Sequence, residues 1–169
     1  RPLSGSYSYE TTGDGGVTAY VIDTGVLASH VDVEGRVAGG YDVVDNDANP
    51  TDCNGHGTHV AGTVGGSTHG VAKDVTIVPV RVLNCSGSGT TSGVVAGLDW
   101  VVSDHEPLER AVANMSLGGP VSTAMDAAVG RVISDGVTVV VAAGNSNRDA
   151  CNYSPARVKA AITVAATTS

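Results

Sequence analysis

The chain has 169 residues, of which 41% are hydrophobic but only 4% aromatic, with 23 glycines and no phenylalanine. Its length allows one domain with a substantial core, and its formal net charge of −8 argues against nucleic acids and anionic membranes, whose phosphates attract basic patches. No apolar run approaches the roughly 20 residues of a membrane-spanning helix. The core must be built from Val, Ala, Leu and Ile, with glycines that let helices lie close to a sheet.

Short apolar runs alternate with segments of helical pattern along the chain. The runs are typical of strands buried on both faces, and Pro79 marks an irregular or edge position in the second of them. They cover residues 17–22, 75–83, 111–117, 137–143 and 160–165. The helical segments are 57–66, 92–105 and 122–134, and Gly136 ends the third. The alternation predicts a mostly parallel sheet with helices on both faces, a three-layer α/β/α fold.

The core-facing sides of the second and third helices follow from residues at helical spacing. For the second helix they are Val95, Leu98 and Val102. For the third they are Met125, Ala128, Val129 and Val132.

Three polar side chains follow strands or open a helix, where sheets of this kind bind ligands. Asp23 follows the first strand, His56 opens the first helix, and Asn145 follows the fourth strand. A carboxylate, an imidazole and an amide can orient a base and stabilise an oxyanion. Taken singly, Asp23 and Asn145 are also consistent with turn residues. His56 and His59 are also consistent with a metal pair, although no suitable Glu or Cys accompanies them.

Six segments in the same order resemble the subtilase family of serine proteases, and within it the secreted group of proteinase K and aqualysin. The resemblance implies a subtilisin-like fold and a secreted endopeptidase that cleaves proteins through an Asp-His-Ser triad. In that triad Asp23 orients the imidazole and His56, not His59, is the base, while Asn145 contributes to the oxyanion hole. The segments are YVIDTGV (20–26), CNGHGTHVAGT (53–63), GVAK (70–73), ANMSLGG (113–119), AAGN (142–145) and NYSPAR (152–157).

The resemblance also implies that an extended peptide binds between two backbone segments, as an added strand would. These segments are Gly87-Ser88-Gly89 and Ser116-Leu117-Gly118. Ala142, Ala143 and Gly144 are expected to wall the pocket for the residue before the cut bond. Their small, uncharged side chains predict an apolar preference there. A flexible loop is the alternative for residues 87–89, and the glycine spacing of residues 87–93 misses the dinucleotide-binding fingerprint by one position.

Calcium is the expected cofactor, because four aspartates crowd the loop before His56 and a hard cation prefers carboxylates. They are Asp42, Asp45, Asp47 and Asp52, with Asp42 and Asp47 as the preferred ligands. A solvated acidic turn is the alternative. Of the three cysteines, the resemblance pairs Cys53 with Cys85 and leaves Cys151 for a cysteine outside the chain.

The sequence contains no segment like the family's Gly-Thr-Ser-Met-Ala nucleophile motif. We therefore expect residues 1–169 to be part of a subtilase catalytic domain, incomplete at its C-terminus and slightly at its N-terminus. The expected partners are protein or peptide substrates, the remaining C-terminal part of the domain and a pro-peptide during maturation, but neither nucleic acid nor membrane. The alternative is an inactive subtilase-like fragment that only binds extended peptides.

Overall fold

The main sheet is built from the apolar runs of the sequence. The computed structural model describes residues 15–166, so the expected domain range 1–169 extends past it at both ends. Its strands are β1 (Val17–Asp23), β2 (Tyr41–Asp42), β3 (Thr76–Arg81), β4 (Arg110–Met115), β5 (Gly119–Pro120), β6 (Thr138–Ala142), β7 (Tyr153–Ser154) and β8 (Ile162–Val164). Six of them form one parallel sheet in the order β2-β3-β1-β4-β6-β8, while β5 and β7 pair antiparallel beside it.

Three helices connect these strands, and each begins at a cap that the preceding loop supplies. They are α1 (His56–Gly65), α2 (Thr91–Asp104) and α3 (Thr123–Ser134), followed by one 3-10 turn at Ala150–Asn152. The side chains of Thr90 and Ser122 accept backbone N–H groups at the starts of α2 and α3. Gly136 follows α3 with a φ of 107°, as expected of the predicted stop. None of the helices in residues 15–166 has the length and apolar character of a membrane span.

One face of the sheet is closed by α2 and α3. All four residues predicted for the core side of α3 are buried. On α2 the buried residues are instead Val94, Gly97, Leu98 and Val101, and the predicted Val95 and Val102 only pack at the margin. The reason is Gly97, where a Cβ would lie 2.5 Å from Val82 Cγ1, so the backbone of α2 lies directly against the sheet.

The opposite face carries α1, which packs on β1 and β3. A smaller apolar cluster fills that contact, including Val21, Ala61 and Ile77. Helices on both faces confirm the predicted three-layer architecture. Over β6 and β8 this face is uncovered within the described residues, and Ile162 and Val164 are 54% and 53% exposed.

Pro79 lies inside β3, next to an irregular edge as its chemistry requires. It pairs with Val21 on one side. On the other side, β2 pairs with β3 only from Val80 onward. The chain departs at Gly40, whose Cβ would lie 2.4 Å from the Pro79 carbonyl oxygen. Pro79, which has no N–H donor, therefore lies where β3 has no regular ladder on its β2 side.

Candidate active site

An aspartate and a histidine meet at the carboxyl edge of the sheet. Asp23 ends β1 and is fully buried, whereas the His56 side chain is 48% exposed at the start of α1. His56 Nδ1 lies 2.7 Å from Asp23 Oδ1, and the same oxygen accepts the N–H of Thr24 at 2.7 Å. A carboxylate accepts hydrogen bonds, which assigns the donating N–H of this contact to Nδ1. The pair thus presents an oriented imidazole base.

Two glycines allow this close contact between α1 and the turn after β1. A Cβ on Gly57 would lie 2.1 Å from the Gly25 carbonyl oxygen. Gly25 itself has a φ of 97°, and a Cβ there would lie 2.4 Å from the Pro50 carbonyl oxygen. Any larger residue at either position would push His56 away from Asp23.

Asp52 holds the start of α1, a role that the sequence analysis did not assign. The helix follows Gly55, which has no side chain to cap it. Asp52 Oδ2 accepts both the N–H and the hydroxyl of Thr58, at 2.9 and 2.6 Å. Its Oδ1 accepts from Thr24 Oγ1 and from the N–H groups of Asn54 and Gly55. Burial raises the pKa of this carboxyl, but these hydrogen bonds outweigh it and leave the pKa lowered.

One cleft of about 580 Å³ brings His56 together with both predicted peptide-binding segments. Residues 87–89 and residues 116–118 line it with His56. The loop that contains Gly87 is folded by Asn84, whose Oδ1 accepts the N–H groups of Ser86 and Ser88. Placement of the two segments in one cleft is the arrangement that an added peptide strand requires.

A disulfide fastens that loop to the loop before His56. Cys53 and Cys85 are bonded, as the resemblance implied. Asn54 Nδ2 also donates to the Cys85 carbonyl oxygen at 2.9 Å. The two cysteines have a sequence separation of 32, for which the chain-entropy model gives the bond about 3–4 kcal/mol of stabilisation. Cys151 is exposed and unpaired among the described residues.

A second pocket, of about 330 Å³, contains the third predicted catalytic residue. Asn145 lines it together with Ala142, Ala143 and Gly144, and the segment 116–118 forms its wall toward the cleft. The Ala143 N–H donates to the Val164 carbonyl oxygen at 2.8 Å, which fixes this wall to β8. Asn145 does not line the cleft of His56, so the two cavities meet only along residues 116–120.

The second pocket also contains a charge that the sequence analysis missed. Arg148 lines it, three residues after Asn145. The segment 142–145 drew attention because it follows a strand, whereas Arg148 lies in an irregular loop with no comparable pattern. Between Asn145 and Arg148 the chain turns at Asn147, which has a φ of 49°.

The aspartates chosen for calcium do not fit a cation. Asp42 is buried, and its Oδ2 accepts from Arg81 Nη1 at 2.5 Å. Its Oδ1 accepts the N–H groups of Val44 and Asp45. Asp47 meets Asp42 only through backbone hydrogen bonds. Both carboxylate oxygens of Asp42 are therefore engaged by donors of the protein, one of them by the guanidinium of Arg81.

Metal binding by His56 and His59 also lacks support. His56 faces Asp23, while His59 lines a different cavity. Within residues 15–166, no group of three His, Cys, Asp or Glu side chains is arranged to hold a metal ion.

Asp23 is thus a buried carboxylate that orients a half-exposed imidazole beside a cleft at the carboxyl edge of a parallel sheet, an arrangement that can move a proton to or from a ligand in the cleft. The chain belongs to the subtilase family, whose model matches residues 14–169.

Named relatives agree with this assignment. The chain is 64% identical over 168 residues to the extracellular serine proteinase of Thermus sp. (strain Rt41A) and 61% identical over 168 residues to alkaline serine exoprotease A of Vibrio alginolyticus. These alignments cover 99% of this chain but only 40% and 31% of the two relatives. A solved cold-adapted subtilisin-like serine proteinase matches with a TM-score of 0.94 and 61% identity, over 99% of this chain and 60% of that one.

Proposed function

We propose that this chain supplies the Asp and His of a secreted serine endopeptidase of the subtilase family. The observation that carries the proposal is the 2.7 Å contact between His56 Nδ1 and Asp23 Oδ1 beside the cleft. Secretion is proposed because one relative is named an extracellular serine proteinase and another an exoprotease. The disulfide between Cys53 and Cys85 is consistent with an oxidising compartment.

In the proposed reaction Asp23 stays ionised and holds the Nδ1–H of His56. Nε2 accepts the hydroxyl proton of the nucleophilic serine while the serine oxygen attacks the carbonyl carbon of the peptide. His56 then gives that proton to the leaving amine, and the acyl group is later released by a water that the same nitrogen deprotonates. Asn145 donates its side-chain amide to the oxyanion that forms.

The serine belongs to a segment outside residues 1–169. The chain spans less than half of the two named relatives, and its sequence has no nucleophile motif. The uncovered sheet face over β6 and β8, with Ile162 and Val164 exposed, offers the apolar surface against which such a segment would pack. A pro-peptide and the rest of the domain are proposed as partners during maturation.

The substrates proposed are proteins and extended peptides. A peptide in the cleft would lie between residues 87–89 and 116–118, with its backbone paired to both segments. No step of the reaction uses a metal ion, and the Asp42 and Asp47 side chains are not assigned to calcium.

A fluorophosphonate probe tests the proposal on the protein that contains this chain. The serine oxygen would displace fluoride from the probe, and peptide mapping should place the label outside residues 1–169. His56→Ala should abolish labelling, whereas His69→Ala, at a histidine whose side chain is 83% exposed and lies outside the cleft, should not. Absence of label, or label that persists in His56→Ala, would contradict the protease assignment.

The second candidate is an inactive subtilase-like protein that only binds extended peptides. It is favoured by one observation, the lack of a nucleophile motif in these residues. Peptide binding with no fluorophosphonate labelling would support it.

A further inference from the structure

The pocket that Asn145 lines contains a positive charge that the sequence analysis did not predict. Its walls are small and uncharged, as expected, and they include Ala142, Ala143 and Gly144. Arg148 is the one charged residue that lines it within the described chain. The sequence predicted that this pocket prefers apolar substrate side chains. A guanidinium without an acidic partner predicts that it also accepts an acidic side chain.

Arg148 has no acidic partner among residues 15–166. Its neighbour Asp149 accepts the N–H of Cys151 at 2.9 Å and caps the 3-10 turn that begins at Ala150. The next arginine, Arg157, lies 3.5 Å from Asp126 and does not line the pocket. Arg148 is exposed, so its positive charge is solvated and open to a ligand in the pocket.

We propose that Arg148 makes this pocket accept an acidic side chain, glutamate above all, at the residue that precedes the cut bond. The inference rests on the proposed protease function and names a substrate class for it. A guanidinium offers a planar pair of donors that matches a carboxylate. A cavity of about 330 Å³ has room for a glutamate side chain beside its small walls. Small apolar residues still fit, so the pocket has a mixed preference.

The test compares substrates that differ in one charge. The whole protein cleaves two peptide anilides that carry Glu or its neutral isostere Gln before the scissile bond, and the ratio of their kcat/KM values is measured near pH 7. Arg148→Gln should lower the Glu/Gln ratio about fivefold, the ordinary scale of an exposed ion pair. Hydrolysis of an otherwise identical Ala substrate gives the reference rate for each variant. Arg157→Gln is the matched control and should leave the ratio unchanged.

Two further measurements separate this inference from the protease assignment. Raising the ionic strength should reduce the Glu/Gln ratio of the unmodified protein but not that of Arg148→Gln. Peptide amides that end in Glu or Gln should bind with different Kd values, and only Arg148→Gln should remove the difference. Arg148-dependent binding without hydrolysis of any substrate would leave the carboxylate pocket standing and contradict the protease. An unchanged Glu/Gln ratio, or equal binding of the two amides, would overturn the carboxylate pocket.

Discussion

Two Asp–His pairs lie at opposite edges of the same sheet. At the carboxyl edge, His56 Nδ1 lies 2.7 Å from a fully buried Asp23, and the His56 side chain is 48% exposed. At the other edge, His105 Nδ1 lies 2.8 Å from Asp135, but here the histidine side chain is only 2% exposed and the aspartate side chain is 33% exposed. In the first pair the aspartate is buried and the histidine is exposed, and in the second pair the histidine is buried and the aspartate is partly exposed. This difference determines whether the histidine can reach a ligand.

The free nitrogen of the ring explains the difference. His105 Nε2 lies 3.2 Å from the Glu109 carbonyl oxygen, so both ring nitrogens face acceptors and both carry protons. That imidazolium joins the end of α2 to the end of α3 and the start of β4, and it has no nitrogen left for a substrate. His56 lines the cleft with its second nitrogen uncommitted. Two Asp–His contacts of nearly the same length therefore serve stability at one edge and, in our proposal, catalysis at the other.

Of the substitutions that test the difference between the two Asp–His pairs, Asp23→Asn should have the largest effect. In the whole protein, Asp23→Asn should lower kcat about 10⁴-fold, because an amide favours the wrong tautomer of the imidazole. KM should change little. Steady-state hydrolysis of a peptide anilide measures both constants. Asp135→Asn removes the aspartate of the second pair and should leave kcat within a factor of a few. A comparable loss of kcat in both variants would contradict the different roles assigned to the two pairs.

Substitution of Asn145, which also lies at the carboxyl edge of the sheet, should have a smaller effect on kcat. Asn145→Ala should lower kcat by about 10²–10³, since the oxyanion would lose one donor. Asn147→Gly is a suitable control, because Asn147 adopts a φ of 49° that glycine accepts without strain. A loss below tenfold in Asn145→Ala, measured in single turnovers, would remove Asn145 from the proposed oxyanion hole.

The smallest effect concerns His105 and the dependence of stability on pH. Burial alone would lower the pKa of His105, but the hydrogen bonds to Asp135 and Glu109 and the charges of both carboxylates outweigh it, so the pKa is raised. Asp104 is the last residue of α2, directly before His105, and Asp135 is the C-cap of α3, while the side chain of Arg110 donates to the Gly15 carbonyl oxygen. The stabilising contribution is thus complete below the unfolded pKa of about 6.5 and disappears as pH rises through the folded pKa.

Urea unfolding of the unmodified protein and of His105→Gln at several pH values measures this contribution. The difference in the free energy of unfolding should be about 1.5–3 kcal/mol at low pH, the contribution of a hydrogen bond to a charged group, and should shrink as the pH rises. His30→Gln is a control, because that histidine is exposed. A difference that stays constant from pH 6 to pH 9 would show that His105 is neutral in the folded protein.

The sequence was most informative where local pattern determines structure. Apolar runs predicted β1, β3, β4, β6 and β8, but not the two-residue strands β2, β5 and β7. The sequence was least informative where partners lie far apart in the chain. The buried pair of Arg81 and Asp42 joins residues 39 positions apart, so the acidic loop suggested calcium when its key carboxylate was already neutralised.

Other differences arose from turns and close approaches that periodicity does not record. Gly97 draws one side of α2 onto the sheet and rotates the buried face away from Val95 and Val102. Asp52 was grouped with the acidic loop, although its hydrogen bonds to Thr58 make it the cap of α1. Arg148 lines its pocket after a turn at Asn147.

The contact between Gly57 and Gly25 limits how this site can evolve. Because a Cβ on Gly57 would lie 2.1 Å from the Gly25 carbonyl oxygen, even alanine is excluded, and no single neighbouring replacement makes room for it. Random mutagenesis should therefore yield active clones with varied residues on the solvent side of α1 but glycine alone at both positions. The position of the imidazole thus depends on two residues that have no side chains, so neither of them can be replaced by neutral substitution.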